Sequence, residues 1–370
     1  MSRLRALFAF QESGLLLVVV VLGVMFTVFS GTVKLPVWET QPDGSRRRVF
    51  TVNAEGERVP AVVEKNKFLN AQNLAQLAKD TSFTAIMAVG MTVVIISGGI
   101  DLSVGAIYAL ASVLGAMVLT RYGPGSPGEM SPVLGLLLGG GACVGVAALC
   151  GLVNGGLVVA LRVHPFIITL GAMAILRGVA FVSTKGQSIG GFPAELRDIV
   201  RFEMGDGLSL VPLAVMVAVA VLGWIFLSRL AAGRRVYAIG GNELAARFSG
   251  IRVERVKLGI YLLSGLTAGI AALLSLGYYG AATSGDGQGY ELNVIAAAVV
   301  GGASLTGGKG TALGAVLGAL VIQMISSGIV ILGIEQSYSQ IVIGAVVIAA
   351  VVLDNVNTWL ARRRLSRGTV

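Results

Sequence analysis

Long apolar runs separated by short polar stretches dominate the chain. Runs of spanning length fall at 14–30, 81–98, 104–120, 132–160, 165–183, 209–228, 258–279, 290–304, 311–332 and 338–356. A bilayer core needs about 20 apolar residues per helix. The pattern therefore predicts about ten transmembrane helices in one all-α polytopic membrane protein, with residues 1–370 forming a single transmembrane domain. The runs are continuous rather than alternating, which argues against a β-barrel. Two of them, 81–98 and 290–304, are short or broken by glycine.

The most informative interruption is Ser97-Gly98-Gly99-Ile100-Asp101-Leu102-Ser103-Val104-Gly105. Glycine lets the backbone bend and lets helices approach closely. A carboxylate at membrane depth costs about 2.5–3.5 kcal/mol on insertion scales, so it faces protein or water. Asp101 is expected to cap a helix beginning at Leu102 or Ser103. A second interruption, with Gly301, Gly302, Ser304, Gly307, Gly308 and Gly310, repeats the helix–break–helix design without an acid. The two breaks predict a parallel internal repeat of the kind known in transporters; glycine-rich packing helices that merely look alike are the plain alternative. Gly310, Gly314 and Gly318 recur every four residues, a close-packing stripe.

Composition strengthens the membrane reading. Of the 370 residues, 55% are hydrophobic and only 13% charged, with mean hydropathy +0.83; soluble domains carry about 25% charge. The net charge of +9 does not imply nucleic-acid binding, because the cations sit in a few loops. Loop 229–257 holds Arg229, Arg234, Arg235, Arg247, Arg252, Arg255 and Lys257, and the tail holds Arg362, Arg363, Arg364 and Arg367. Positive loops stay inside, so both termini, with Arg3 and Arg5, and loop 229–257 are expected in the cytoplasm. Segments 31–80, 121–131, 184–208 and 280–289 then fall outside. The first apolar run has no small-residue cleavage site after it and reads as a retained helix rather than a signal peptide. Residues 31–68 read as an extended periplasmic loop insertion, with a short hairpin expected around Ala54-Glu55-Gly56. It is either a solvated loop or a docking element for an external partner.

Within the cytoplasmic loop, Asn242 is a good N-cap, Glu243 favours a first turn and Gly250 a stop, which predicts a short helix over 242–250. A membrane protein that takes work from a soluble motor needs such a knob. Cys143 and Cys150 are seven residues apart on one helix, too far for a mutual disulfide. The lone His164 precedes Pro165 without a second His or Cys nearby, so no metal site is expected. No phosphate-binding loop of the G-x-x-x-x-G-K-[ST] kind and no nucleophilic triad is present. The chain reads as a non-enzyme whose energy comes from another subunit or an ion gradient.

Several ordered motifs resemble the permease subunit of ribose/xylose/galactose-type sugar ATP-binding-cassette importers. They are Ala88 through Thr92 with Gly99 through Gly105, Pro165 through Gly171, Arg177-Gly178, Ala238 through Ile251, Gly289 through Leu292, and Ile295 through Gly310. The resemblance spans roughly 66–355, and the main departure is the insertion at 33–67. It implies a homodimer or heterodimer of permeases in the bacterial inner membrane, two cytoplasmic ATP-binding-cassette domains, which bind the ATP and Mg, and a periplasmic sugar-binding protein. It implies that Gly241, Asn242, Glu243, Ala245, Ala246, Arg247, Ser249 and Gly250 couple to the ATPase. Gly98, Gly99, Asp101, Gly105, Gly301, Gly302, Gly307, Gly308 and Gly310 form the helix breaks. Candidates for a neutral-sugar path are Thr84, Ser97, Ser103, Asn154, Thr169 and Asn293; such residues also bridge membrane helices. The expected cargo is a pentose or hexose, delivered by the binding protein. The alternatives are nucleosides, furanosyl autoinducer-like compounds or branched-chain amino acids, or an ion-coupled transporter, which would want more buried acids than Asp101.

Overall fold

The computed structural model describes residues 13–367 apart from 42–45, 54–55, 124–125, 127, 192–193 and 205–206, with the backbone alone for 40, 46, 204 and 353–367. Arg3, Arg5, Ala54 and Glu55 lie outside the described residues. The described chain is mostly helical: α1 Ser13–Phe29, α2 Ala71–Ile96, α3 Val104–Tyr122, α4 Pro132–Leu161, α5 Pro165–Thr184, α6 Ala194–Val200, α7 Leu210–Ser228, α8 Ala231–Gly241, α9 Glu243–Phe248, α10 Val253–Tyr279, α11 Tyr290–Val300, α12 Ala312–Ile331 and α13 Tyr338–Arg367. Seven of these helices are long and apolar enough to cross a membrane, and α1, α11 and the start of α13 are shorter apolar helices. Every predicted apolar run contains a helix.

The helices at 258–279 and 338–356 extend to Val253 and Arg367, and two further boundaries, on the helices beside the breaks, differ from the sequence expectation. The run at 81–98 is the end of a 26-residue helix that starts at Ala71, about 39 Å long. Asn70 caps it by accepting the Asn73 N–H at 2.9 Å. The polar Lys79-Asp80 pair had concealed that first part; here Lys79 is buried against the rings of Tyr278 and Tyr279, 4.3 and 4.9 Å from their centroids. The run at 290–304 is only an 11-residue helix, about 17 Å, roughly half of a bilayer core. It is flanked by a loop in which Ala282 and Ser284 are buried and by the glycine break.

α2 is the central helix, buried at every residue from Thr81 to Ser97. α7, α10, α11 and α12 pack around it, and α4 pairs with α10. The α4–α10 contact is a backbone approach: a Cβ on Gly151 would overlap the Tyr261 carbonyl oxygen, and one on Gly265 that of Ala147. Membrane helices associate through such small-residue faces. The outer faces of α4, α5 and α7 stay apolar and exposed, with Leu137, Ile175, Val182 and Leu222 among the most open side chains.

The segment between α1 and α2 folds as three antiparallel β arms. β1 (Thr32–Pro36) pairs with β6 (Val62–Asn66), β2 (Trp38–Thr40) with β3 (Arg46–Arg48), and β4 (Phe50–Val52) with β5 (Arg58–Pro60). The arms meet in a ring of hydrogen bonds: Val37 N donates to Ala61 O, Ala61 N to Val49 O, and Val49 N to Val37 O. The strands of a hairpin stand on either side of 54–56, as the alternation there predicts. At the base, Asn66 donates to Thr27 O at 2.7 Å and accepts from Phe68 N, while Phe68 stacks on Phe26. Two further loops join at the same end of the bundle as Tyr279: β7 (Ile189–Gly190) pairs with β10 (Ala281–Ala282).

Candidate functional site

The first break is built around the end of α2. Ser97 closes the helix and its hydroxyl donates to Val94 O at 2.7 Å. Gly98 then takes φ +81°, a conformation favouring glycine. Asp101 is fully buried. Its Oδ1 accepts the Ser103 N–H at 3.1 Å and the Ser103 hydroxyl at 2.6 Å, and its Oδ2 accepts the Ser264 hydroxyl of α10 at 2.8 Å. Asn154 of α4 donates to Ser103 Oγ at 2.7 Å, and Thr169 of α5 donates to Ile100 O at 3.3 Å. A buried network thus ties the break to α4 and α10, and a separate bond ties it to α5. The capping expectation for Asp101 is corrected. α3 begins at Val104 with Ser103 as its N-cap residue, and no side chain caps it. Asp101 instead accepts Ser103's own N–H and hydroxyl, pinning the turn ahead of the helix.

The second break leaves α11 at Gly301 and re-enters a helix at Thr311, whose hydroxyl accepts Gly314 N–H at 2.9 Å. Gly302, Gly307, Gly308 and Gly310 all have positive φ. The two breaks touch through the backbone: Gly308 N–H donates to Ile96 O at 2.8 Å. Gly301 packs against Gly314, and Gly318 against the Ala297 carbonyl, where a Cβ would overlap backbone. Gly105 faces Glu291 and Gly287 in the same way.

Loop 229–257 reaches this junction. It contains α8, for which the sequence pattern predicts no helix, followed by the expected short helix α9. A Cβ on Gly240, near the end of α8, would overlap Ile96 O and lie 2.6 Å from Gly308 N. One on Gly307 would lie 2.7 Å from Gly240 O. Tyr237 donates its hydroxyl to Gly310 O at 2.7 Å. The backbone of α8 therefore sits against both breaks at one point. A cleft of about 330 Å³ opens beside it, lined by Ser97, Gly99, Gly240, Asn242, Lys257 and Tyr261 among others. The Tyr261 hydroxyl is buried there without a hydrogen-bond partner among the described residues.

α9 is held firmly. Asn242 accepts the Ala245 N–H at 3.0 Å, as its capping role predicts, and Gly250 ends the segment at φ +80°. Ala246 is buried with Ile239 and Val253. Glu243 pairs with Lys257 at 2.8 Å and with Arg247 at 3.5 Å, and Arg247 also pairs with Glu254. That last bond raises the Arg247 guanidinium above its ordinary value. Ser249 donates to Ala245 O at 2.8 Å. Gly241 has open space where a Cβ would stand. The outward face carries Leu244 and Phe248, 67% and 88% exposed. Neither is among the residues expected to couple; their sequence signal is an i, i+4 apolar pair inside a charged loop. Next to α9, a cleft of about 870 Å³ lies against the α4–α5 corner, with Arg162 and His164 on one wall and Glu243, Arg247 and Lys257 on the other.

Of the path candidates, Ser103 and Asn154 meet in the Asp101 network, and Thr169 bonds the backbone of the break beside it at Ile100 O. Thr84 lies elsewhere, buried on α2, where it accepts the Gln323 amide of α12 at 2.7 Å. Ser97 bonds its own helix, and Asn293 stands half-buried on α11, away from the network. At the opposite end, Arg177 of α5 donates to the carbonyls of Ser284 and Asp286 and fixes the loop before α11.

A profile of the family described as "branched-chain amino acid transport system / permease component" matches residues 73–351. The chain belongs to this family. It is 38% identical over 290 residues to the ribose import permease of Escherichia coli (strain K12), covering 78% of this chain and 87% of the relative. It is 40% identical over 288 residues to the ribose import permease of Bacillus subtilis (strain 168), covering 78% and 86%. To the D-allose transport system permease of Escherichia coli (strain K12) it is 38% identical over 288 residues, covering 78% and 84%. No solved structure gives a significant match. The family match begins at Asn73, so the β insertion lies outside it.

Proposed function

We propose that this chain is the membrane-spanning permease subunit of an ATP-driven importer, forming the path for a monosaccharide, a pentose or a hexose, delivered by a periplasmic binding protein. The similarity to ribose and allose permeases supports the cargo class. The backbone junction of Gly240 with Ile96 and Gly308 carries the mechanism. The family's own description names branched-chain amino acids, which is the second reading.

On this reading two permeases, alike or different, sit side by side in the bacterial inner membrane with their termini in the cytoplasm, and residues 31–68 project into the periplasm. The helix breaks are paired hinges of a parallel repeat. Two ATPase domains dock on α9, with Leu244 and Phe248 as the anchors and the cleft beside Arg162 receiving part of the docking surface. ATP and Mg are held by those domains, and this chain supplies no catalytic group. Closure of the ATPase pair displaces α9, the rigid α8 carries the displacement to Gly240, and both breaks move together. Packed junctions of this kind switch between discrete arrangements rather than deforming continuously. The ATPase supplies the differential free energy between outward and inward states.

Reconstitution tests the reading. Proteoliposomes holding this chain with its ATPase and binding protein are expected to take up radiolabelled D-ribose or D-allose only when ATP and all three components are present. Uptake by this chain alone would sink the importer mechanism, and ATP-driven uptake of leucine but of no sugar would favour the second reading.

A further inference from the structure

A polar cleft of about 310 Å³ opens between the first half of α2 and the last half of α12, at the end of the bundle that carries the β arms. That volume lies at the lower end of small-ligand sites, roughly 300–1,000 Å³. Gln323 crosses the cleft to donate to Thr84 at 2.7 Å, and Ser327 donates to Asn73 Oδ1 at 3.2 Å. Leu77 and Ile331 supply apolar wall. Asp80 is the acid of the lining, and its charge is already balanced. One oxygen accepts Gln76 at 3.0 Å, and the other lies 3.0 Å from Lys79 Nζ, which is itself buried on the tyrosine side and does not line the cleft. The side chains of Ser326 and Gln336 also line it and have no hydrogen-bond partner among the described residues.

This lining selects a ligand class. Hydroxyls and amides offer donors and acceptors together, which match a polyol. A zwitterion needs two unpaired opposite charges, and the cleft offers none. An apolar ligand would leave the half-buried Ser326 hydroxyl desolvated without a partner, at a cost of about 1–3 kcal/mol. We propose that the α2–α12 cleft is a subsite for one neutral monosaccharide on the outward side of the path. The proposal rests on the monosaccharide reading and on the orientation given above.

The test uses Ser326→Cys in the complete importer, reconstituted with ATPase and binding protein. A membrane-impermeant maleimide labels the new thiol, with background measured on the unsubstituted chain, whose Cys143 is buried and Cys150 half-buried. Whichever of D-ribose and D-allose the unsubstituted importer takes up is expected to slow labelling at least three-fold at millimolar concentration, while sucrose leaves the rate unchanged. Ser326→Leu, which fills the cleft, is expected to lower uptake at least ten-fold at equal membrane content. Labelling indifferent to a sugar that is being transported, or unchanged uptake by Ser326→Leu, would overturn the subsite alone. Absence of any monosaccharide uptake by the unsubstituted importer would overturn the function and the subsite together.

Discussion

Asp101 receives three hydrogen bonds, from one backbone amide and two hydroxyls, and forms no ion pair among the described residues. Its task is acceptor geometry: Ser103, and through it Asn154, is oriented by the carboxylate. Asparagine keeps one carbonyl oxygen for Ser103, and its amide can face Ser264 Oγ as donor. Leucine leaves the Ser103 and Ser264 donors buried without partners, about 1–3 kcal/mol for each group. Asp101→Leu is therefore expected to cost about 2 kcal/mol or more beyond Asp101→Asn, read as thermal unfolding in detergent, and Asn is expected to retain more uptake. Equal losses in the two variants would point to a role for the charge itself. The acid was visible in the sequence because membrane segments rarely hold one. Its partners were not, since Ser103, Asn154 and Ser264 are brought together only by packing of three helices. Gly240 and Gly241 make the same point. They are identical letters in the chain, yet one is pressed onto two backbones and the other faces open space.

Among the elements, α9 was the most legible, because its cap, first-turn acid and terminal glycine are local signals that need no tertiary information. Its exposed apolar face was less so. The i, i+4 spacing of Leu244 and Phe248 is a faint signal in a stretch this short, and their exposure separates them from core residues such as Ala246. Aromatic side chains such as phenylalanine are enriched at docking surfaces. Replacing both by serine is expected to leave thermal stability within about 0.5 kcal/mol, the usual range for surface sites. The same change should lower affinity for the ATPase subunits by at least ten-fold in a pull-down titration from detergent. Unchanged affinity would move the docking surface elsewhere. The start of α2 and the length of α11 escaped the sequence for a different reason. A buried lysine satisfied by tyrosines reads as a solvated loop, and a half-length helix reads as a span when glycine-rich residues continue its hydropathy.

At the scale of the whole molecule, the apolar runs prescribed the bundle, and the glycine breaks marked where it is not a bundle of plain rods. Contact between the breaks lay beyond sequence reading, because a Gly308–Ile96 backbone bond joins positions more than two hundred residues apart. That contact makes the junction a three-way meeting of α2, α8 and the α11–α12 break, and on the proposed reading it lets one docking helix move both halves. The central claim is that work from the ATPase passes through Gly240. The most direct measurement is the number of sugar molecules imported per ATP hydrolysed in proteoliposomes carrying Gly240→Ala or Gly241→Ala. Gly240→Ala is expected to lower that ratio at least ten-fold while ATP hydrolysis continues, and Gly241→Ala to stay within two-fold of the unsubstituted chain. An unchanged ratio in Gly240→Ala, or equal losses in both variants, would contradict the account.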